Sequence, residues 1–212
     1  MRQSVRDSFV AFSTRLEGSV PHFYADIKGL ITTAIGNLVD PVSTALNLPL
    51  RHEDGSLASK EEILAEWNRV KSDPRCATQG YRYAANLCRL HLDAEGIAQV
   101  VGGRLDLNDA ILTKRFPNFP EWGSDAQLAV HSHAWACGAS FRFPKLERAL
   151  QVLDWRTAAV ECQMNTAGNP GLITRIRHEK TMFGNAAVVD RDGLNPEPLY
   201  WPRDLSTEPD AA

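Results

Sequence analysis

The stretch Glu17-Gly18-Ser19-Val20-Pro21-His22-Phe23-Tyr24-Ala25-Asp26-Ile27-Lys28-Gly29-Leu30-Ile31-Thr32-Thr33-Ala34-Ile35-Gly36-Asn37 decides how this chain is read. Before it, Val5, Phe9, Phe12 and Leu16 recur at helical spacing and Gly18 follows, so residues 4 to 17 read as an amphipathic helix ending near Glu17. From Phe23 to Leu38 β-branched and aromatic residues gather around Gly29 and Gly36, which predicts a small antiparallel sheet. A carboxylate at a helix end, a second beyond a proline and two aromatics, and a hydroxyl on a following strand frame one cleft. Two carboxylates in unequal surroundings are what glycoside hydrolysis uses.

Working outward, Pro41 to Ser56 is loop-like, and Ser59-x-x-Glu62 is a capping box opening a helix through about Lys71. From Asp93 on, helix signals dominate. Segments at 93–101, 106–116, 124–138, 145–152, 154–165 and 171–183 are separated by Gly102-Gly103, Pro117 to Gly123, Phe143-Pro144 and Gly168-Asn169-Pro170. The expected architecture is α+β and mainly helical, with a small N-terminal sheet lobe, a larger helical lobe and the cleft between them. The tail from Asn195 to Ala212 is rich in proline, and its last residues are expected loose or laid along the surface.

The 212 residues suit one domain, or two small lobes, with 43% hydrophobic and 23% charged residues. A net charge of −3 leaves no electrostatic footprint for nucleic acid or anionic membranes. No run is long enough to span a bilayer, and the N-terminal helix is interrupted by Arg6, Asp7 and Arg15 where a secretory signal needs an apolar core. Synthesis in the cytoplasm without a signal peptide is expected. Cys76, Cys88, Cys137 and Cys162 show no CxxC spacing; two disulfides are arithmetically open, and four reduced thiols are the preferred reading.

The opening stretch resembles the N-terminal signature of phage-type lysozymes, glycoside hydrolase family 24: Glu, eight residues, Asp, five residues, Thr. Glu17, Asp26 and Thr32 match at that spacing, and Gly18, Tyr24, Gly29, Ile35 and Gly36 also stand where the family usually has them. The family commonly reads Thr-x-Gly-x-Gly-His; here Ala34 replaces the first glycine and Asn37 the histidine. If that glycine serves a positive φ, Ala34 adopts it only at a cost. Further on, Ala126 to Gly138 is similar to the family's central buried helix, and Asp154-Trp155-Arg156 with Gly171 to Glu179 to its closing helices. The resemblance implies a single lysozyme-like domain: catalytic helix and hairpin over 1–40, an insertion over 41–90 with no assigned role, a helical lobe over 91–185 and a C-terminal extension over 186–212.

What the resemblance implies for function is a muramidase that hydrolyses the β-1,4 bond between N-acetylmuramic acid and N-acetylglucosamine in peptidoglycan, with no cofactor. Glu17 would be the general acid, its pKa raised by an apolar surround of Phe12, Leu16 and Val20. Asp26 would stay ionised and, with Thr32, hold the attacking water; Thr33 would face the other way. Inversion is implied, with carboxylates about 6.5 to 9.5 Å apart. Tyr24 is a candidate for the sugar site, and Arg175 for substrate binding or for pairing with Glu17, with Arg177 its rival. Against these stand ordinary readings: an exposed helix-end glutamate, a turn aspartate, a strand threonine and a solvated helix arginine.

Expected partners are peptidoglycan strands, an immunity protein or delivery machinery, with the chain a monomer acting in the periplasm or on a target wall as endolysin or secreted effector. A catalytically silent peptidoglycan-binding module is the alternative from another class. Cleavage of chitin-like polymers and lytic transglycosylation are the alternatives in chemistry. His131-Ser132-His133 with Cys137 is a poor zinc set, since positions two apart on a helix point to nearly opposite sides. Asp190-Arg191-Asp192-Gly193 begins like a calcium loop but has Trp201 at the twelfth position, so a turn is the better reading.

Overall fold

The computed structural model describes residues 1–207, and the fold is α+β and mainly helical. The elements run α1 (Gln3–Glu17), β1 (Val20–Ala25), β2 (Ile31–Ala34), β3 (Asn37–Leu38), α2 (Lys60–Ser72), α3 (Arg75–Ala84), α4 (Ala94–Arg115), α5 (Ser124–Cys137), α6 (Pro144–Gln151), α7 (Trp155–Glu161) and α8 (Gly171–Asp192). Two compact units are formed, one from Met1–Leu16 with the chain from Leu105 on, the other from Glu17–Arg104. No helix among the described residues is long and apolar enough to cross a membrane.

In the unit from Glu17 to Arg104, the three strands lie in the order β1-β2-β3, antiparallel throughout. Tyr24 pairs with Thr32 and Thr32 with Leu38, while Thr33 pairs with Asn37. Direct partners share a face and neighbours along a strand alternate, so Tyr24, Thr32 and Leu38 form one cross-strand row and Thr33 and Asn37 belong to the other side. Phe23, Ala25 and Ile31 pack into a core with Ile63, Trp67 and Val70 of α2 and with Leu50, Cys76 and Leu90. The stretch 41–90, expected as an insertion without a role, therefore builds the body on which the sheet rests.

Helix α2 begins as its capping box predicts: the Ser59 hydroxyl accepts from the Glu62 N–H at 3.3 Å, and the Glu62 carboxylate accepts from the Ser59 N–H at 2.8 Å. Helix α3 left no clear sequence signal, because Gly80, at φ 72°, breaks it mid-course. Gly102 and Gly103, expected to separate one helix from the next, lie inside the continuous α4; glycine there costs only about 1 kcal/mol, and buried Val101 and Leu105 hold the helix.

In the other unit, α5 is buried on all sides from Ser124 to Trp135, as a central helix is. Helix α7 stops at Glu161, short of the expected 165. Helix α8 runs to Asp192, past the expected 183, and closes on Gly193 at φ 63°. This corrects the turn reading of 190–193: Asp190 and Asp192 are helical, and Asp190 accepts from the Trp155 indole at 2.5 Å. The described portion of the tail is tied down. Tyr200 and Trp201 donate their N–H groups to the buried Asp125 carboxylate at 2.8 and 3.0 Å, and the Trp201 ring meets Phe12 edge-on. The expected loose end, residues 208–212, lies outside the described residues.

Candidate active site

Glu17 is the last residue of α1, and Gly18 at φ 73° turns the chain directly into β1. A left-handed residue just past the final turn is a common helix stop, and glycine takes it without strain. Glu17 is exposed. The apolar enclosure expected around it is thus absent at the residue itself, although Phe12 is buried and Leu16 and Val20 are half-buried.

Asp26 stands one residue beyond β1 and organises the turn into β2. Its Oδ1 accepts from the Lys28 N–H at 2.8 Å and from the Leu30 N–H at 2.9 Å, while the Asp26 N–H donates to the Leu30 carbonyl at 2.9 Å. Gly29, at φ 74°, completes the turn by donating to the Asp26 carbonyl at 2.8 Å. The turn reading of Asp26 is therefore right as far as Oδ1 goes, and Oδ2 stands outside these bonds. Thr32 is 6% exposed and donates its hydroxyl to the Leu30 carbonyl at 3.3 Å. Thr33, fully buried on the other face, donates instead to the Val20 carbonyl at 3.4 Å.

Tyr24 links these groups electrostatically. Its phenol is pushed above the usual tyrosine value first by burial, then by the negative charges of Glu17 and of Asp26. A nearby negative charge disfavours the ionised form of a phenol. Both carboxylates therefore bear on one phenol that lies opposite Thr32 across the sheet. The Tyr81 ring meets Tyr24 edge-on at 6.5 Å.

Ala34 departs from the glycine pattern and shows the cost: its φ is 51°, in the left-handed region, with its side chain in the core. Asn37 is 4% exposed and donates to the Val100 carbonyl at 3.4 Å on the side away from Thr32. The second turn of the hairpin is held from α4, where Arg104 donates to the Gly36 carbonyl at 2.8 Å.

Arg175 belongs to the other unit and is 1% exposed, which overturns the solvated-arginine reading. Its guanidinium donates to the Ser132 carbonyl at 3.0 Å and hydroxyl at 2.9 Å. Arg177 is the exposed one of the pair. The Ser132 hydroxyl in turn donates to Glu179, which also meets His133 at 3.1 Å. His131 goes the opposite way, between Phe9 and Phe119 and 3.4 Å from Asp109. The two histidines thus diverge as helical spacing requires. Among the described residues no group of three or more His, Cys, Asp or Glu is placed to hold a metal ion, and the four cysteines are free thiols.

Sequence reasoning missed the residues that hold the first turn. Lys71, at the end of α2, donates to the Gly29 carbonyl at 2.8 Å and pairs with Asp40 at 2.5 Å, and Asp40 accepts from the Ile31 N–H at 3.1 Å. Nothing in the spacing of Asp40 and Lys71 announces a contact across 31 positions. Compared with known proteins, the chain matches no family model and no curated protein.

Proposed function

We propose that the chain is a glycoside hydrolase on a lysozyme-like fold, cleaving the β-1,4 bond between N-acetylmuramic acid and N-acetylglucosamine in peptidoglycan. The observation that carries this reading is the Tyr24 phenol, raised first by burial and then by the charges of both Glu17 and Asp26, and paired across the sheet with Thr32. Two acids and a hydroxyl around one half-buried aromatic ring are the components of a sugar-cleaving site.

In this reading Glu17, protonated, gives its proton to the glycosidic oxygen as the bond to the anomeric carbon breaks. Asp26, fixed through Oδ1, keeps Oδ2 for the water that attacks from the opposite side, and Thr32 helps to place that water. The water's proton passes to Asp26, and the product inverts at the anomeric carbon. The substrate is then the glycan strand of the periplasm or of a target wall, reached through delivery machinery or lysis.

The turn bonds of Asp26 and the replaced Ala34 and Asn37 favour, as the second reading, a module that binds peptidoglycan without cleaving it. Mass spectrometry of muropeptides released from purified sacculi separates the two. Soluble fragments with a hydrated N-acetylmuramic acid reducing end are expected; anhydro ends indicate transglycosylation, and release from chitin alone another glycan. Glu17→Gln should lower release by at least about 10²-fold while the protein stays folded, the scale of a lost general acid. Near wild-type release by folded Glu17→Gln rules the muramidase out, and binding without release establishes the silent module.

A further inference from the structure

We propose that Lys71 is a positioning residue for Asp26, acting through the single peptide unit between Gly29 and Leu30. The inference rests on the hydrolase reading above and adds a residue to its machinery. The Lys71 ammonium donates to the Gly29 carbonyl oxygen at 2.8 Å, and the N–H of that same peptide, on Leu30, donates to Asp26 Oδ1 at 2.9 Å. A trans peptide is planar with its oxygen and hydrogen pointing in opposite directions. Ammonium, carbonyl, amide and carboxylate therefore form one line of hydrogen bonds.

Two effects follow from that line. Holding the oxygen fixes the peptide plane, so the direction from which Leu30 grips Asp26 is set from α2. A cation on the oxygen also draws charge through the amide and makes its N–H a better donor, by roughly 10–30% per bond in such chains. Lys71 is kept at this post by Asp40, whose carboxylate also accepts from the Ile31 N–H, the next amide along. The hydrogen bond from Lys71 holds the Asp40 carboxyl below its usual range, so Asp40 stays ionised through neutral pH. The Lys71 ammonium lies over the Trp67 ring, with Nζ 5.7 Å from the ring centre. Trp67 itself supports the far end of the hairpin by donating to the Val39 carbonyl at 2.9 Å, a contact outside the Gly29–Leu30 peptide.

The test compares Lys71→Met, which keeps an apolar stem but no donor, with Lys71→Arg, which keeps a cationic donor, and with Trp67→Phe as a control for general support of the hairpin. Turnover on sacculi is measured beside amide exchange and amide proton shifts at Lys28 and Leu30. Expected for Lys71→Met is a roughly 10-fold lower kcat with KM within about two-fold. Its Leu30 amide should exchange faster, Lys71→Arg should recover most of both, and Trp67→Phe should lose stability without moving the Leu30 amide. An unmoved Leu30 amide in folded Lys71→Met overturns the proposal whatever the activity does. So does an equal loss of kcat in Trp67→Phe. A wild-type chain inert on every glycan fells the hydrolase reading and the catalytic role of Lys71 with it. The exchange data would then still show whether α2 holds the turn.

Discussion

Asp26 and Thr32 are joined through the main chain of Leu30, whose N–H donates to the Asp26 carboxylate at 2.9 Å and whose carbonyl accepts from the Thr32 hydroxyl at 3.3 Å. Motion of one is thereby felt by the other through a single residue. The two side chains proposed to hold the attacking water thus share one backbone reference.

Thr32 and Thr33 should separate cleanly on substitution. Thr32→Ala removes a hydroxyl from the row shared with Tyr24, and turnover should fall by about 10-fold or more, beside about 1 kcal/mol of stability for its hydrogen bond to the Leu30 carbonyl. Thr33→Ala removes a buried hydrogen bond to Val20 on the other face. It should cost about 1 kcal/mol of stability and leave turnover within about three-fold. Steady-state rates on sacculi beside urea denaturation read both, and the reverse ranking would place the water on the wrong face of the sheet.

Ala34→Gly should be nearly free of cost. The left-handed φ of 51° penalises a Cβ by about 1–2 kcal/mol. That relief offsets roughly 0.8 kcal/mol for a lost buried methyl and 0.5–1 kcal/mol for the freer unfolded chain. Net change should lie within about 1 kcal/mol. The same change at Ala126, buried in α5 with no such strain, should cost about 2 kcal/mol. Equal losses at the two positions, by urea denaturation, would show that the strain at Ala34 is relieved elsewhere.

His131 should make stability depend on pH. Burial pulls its pKa below the ordinary 6.5, against the opposing pull of Asp109. The unfolded chain therefore binds a proton at higher pH than the folded one, and stability falls as pH drops from about 6.5 toward the folded value. The slope cannot exceed about 1.4 kcal/mol per pH unit for one group. His131→Leu should remove this share of the slope, measured by denaturation between pH 7.5 and about 5. A remainder is expected from His178, which burial also pulls down. An unchanged slope in His131→Leu would show that His131 titrates alike in the folded and the unfolded chain.

Asp125 should be the anchor of the tail. Its buried carboxylate accepts from Asn185, Tyr200 and Trp201, and burial raises its pKa despite those bonds. Asp125→Ala leaves three donors without an acceptor and should cost about 2–4 kcal/mol. Exchange at the Tyr200 and Trp201 amides should accelerate more than exchange in α5. Uniform acceleration would show that the tail and helix open together.

Much of this was legible because it is local. The end of α1 at Glu17, the capping box of Ser59 and Glu62, the hairpin around Gly29 and the strain waiting at Ala34 all follow from residues within a few positions of one another. Thr33 was assigned to the other face by alternation alone, and its bond to Val20 agrees. What failed was long-range. Packing of Val101 and Leu105 carried α4 through two glycines, and the burial of Arg175 depends on Ser132, 43 positions away. Lys71 and Asp40 had no sequence signature, since their meaning lies in a carbonyl of the turn. The exposure of Glu17 was missed for a related reason: apolar neighbours along a helix say which face is buried, not whether its last residue is.

The Leu30 linkage makes the site sensitive to spacing more than to identity. It consists of an N–H and a carbonyl, which every residue but proline supplies, so exchange of Leu30 or of Ile27, 92% exposed at the turn, leaves the circuit intact. One residue added or removed between Asp26 and Thr32 breaks it, whatever side chains are present. The chain can drift in composition through this turn while its count stays fixed.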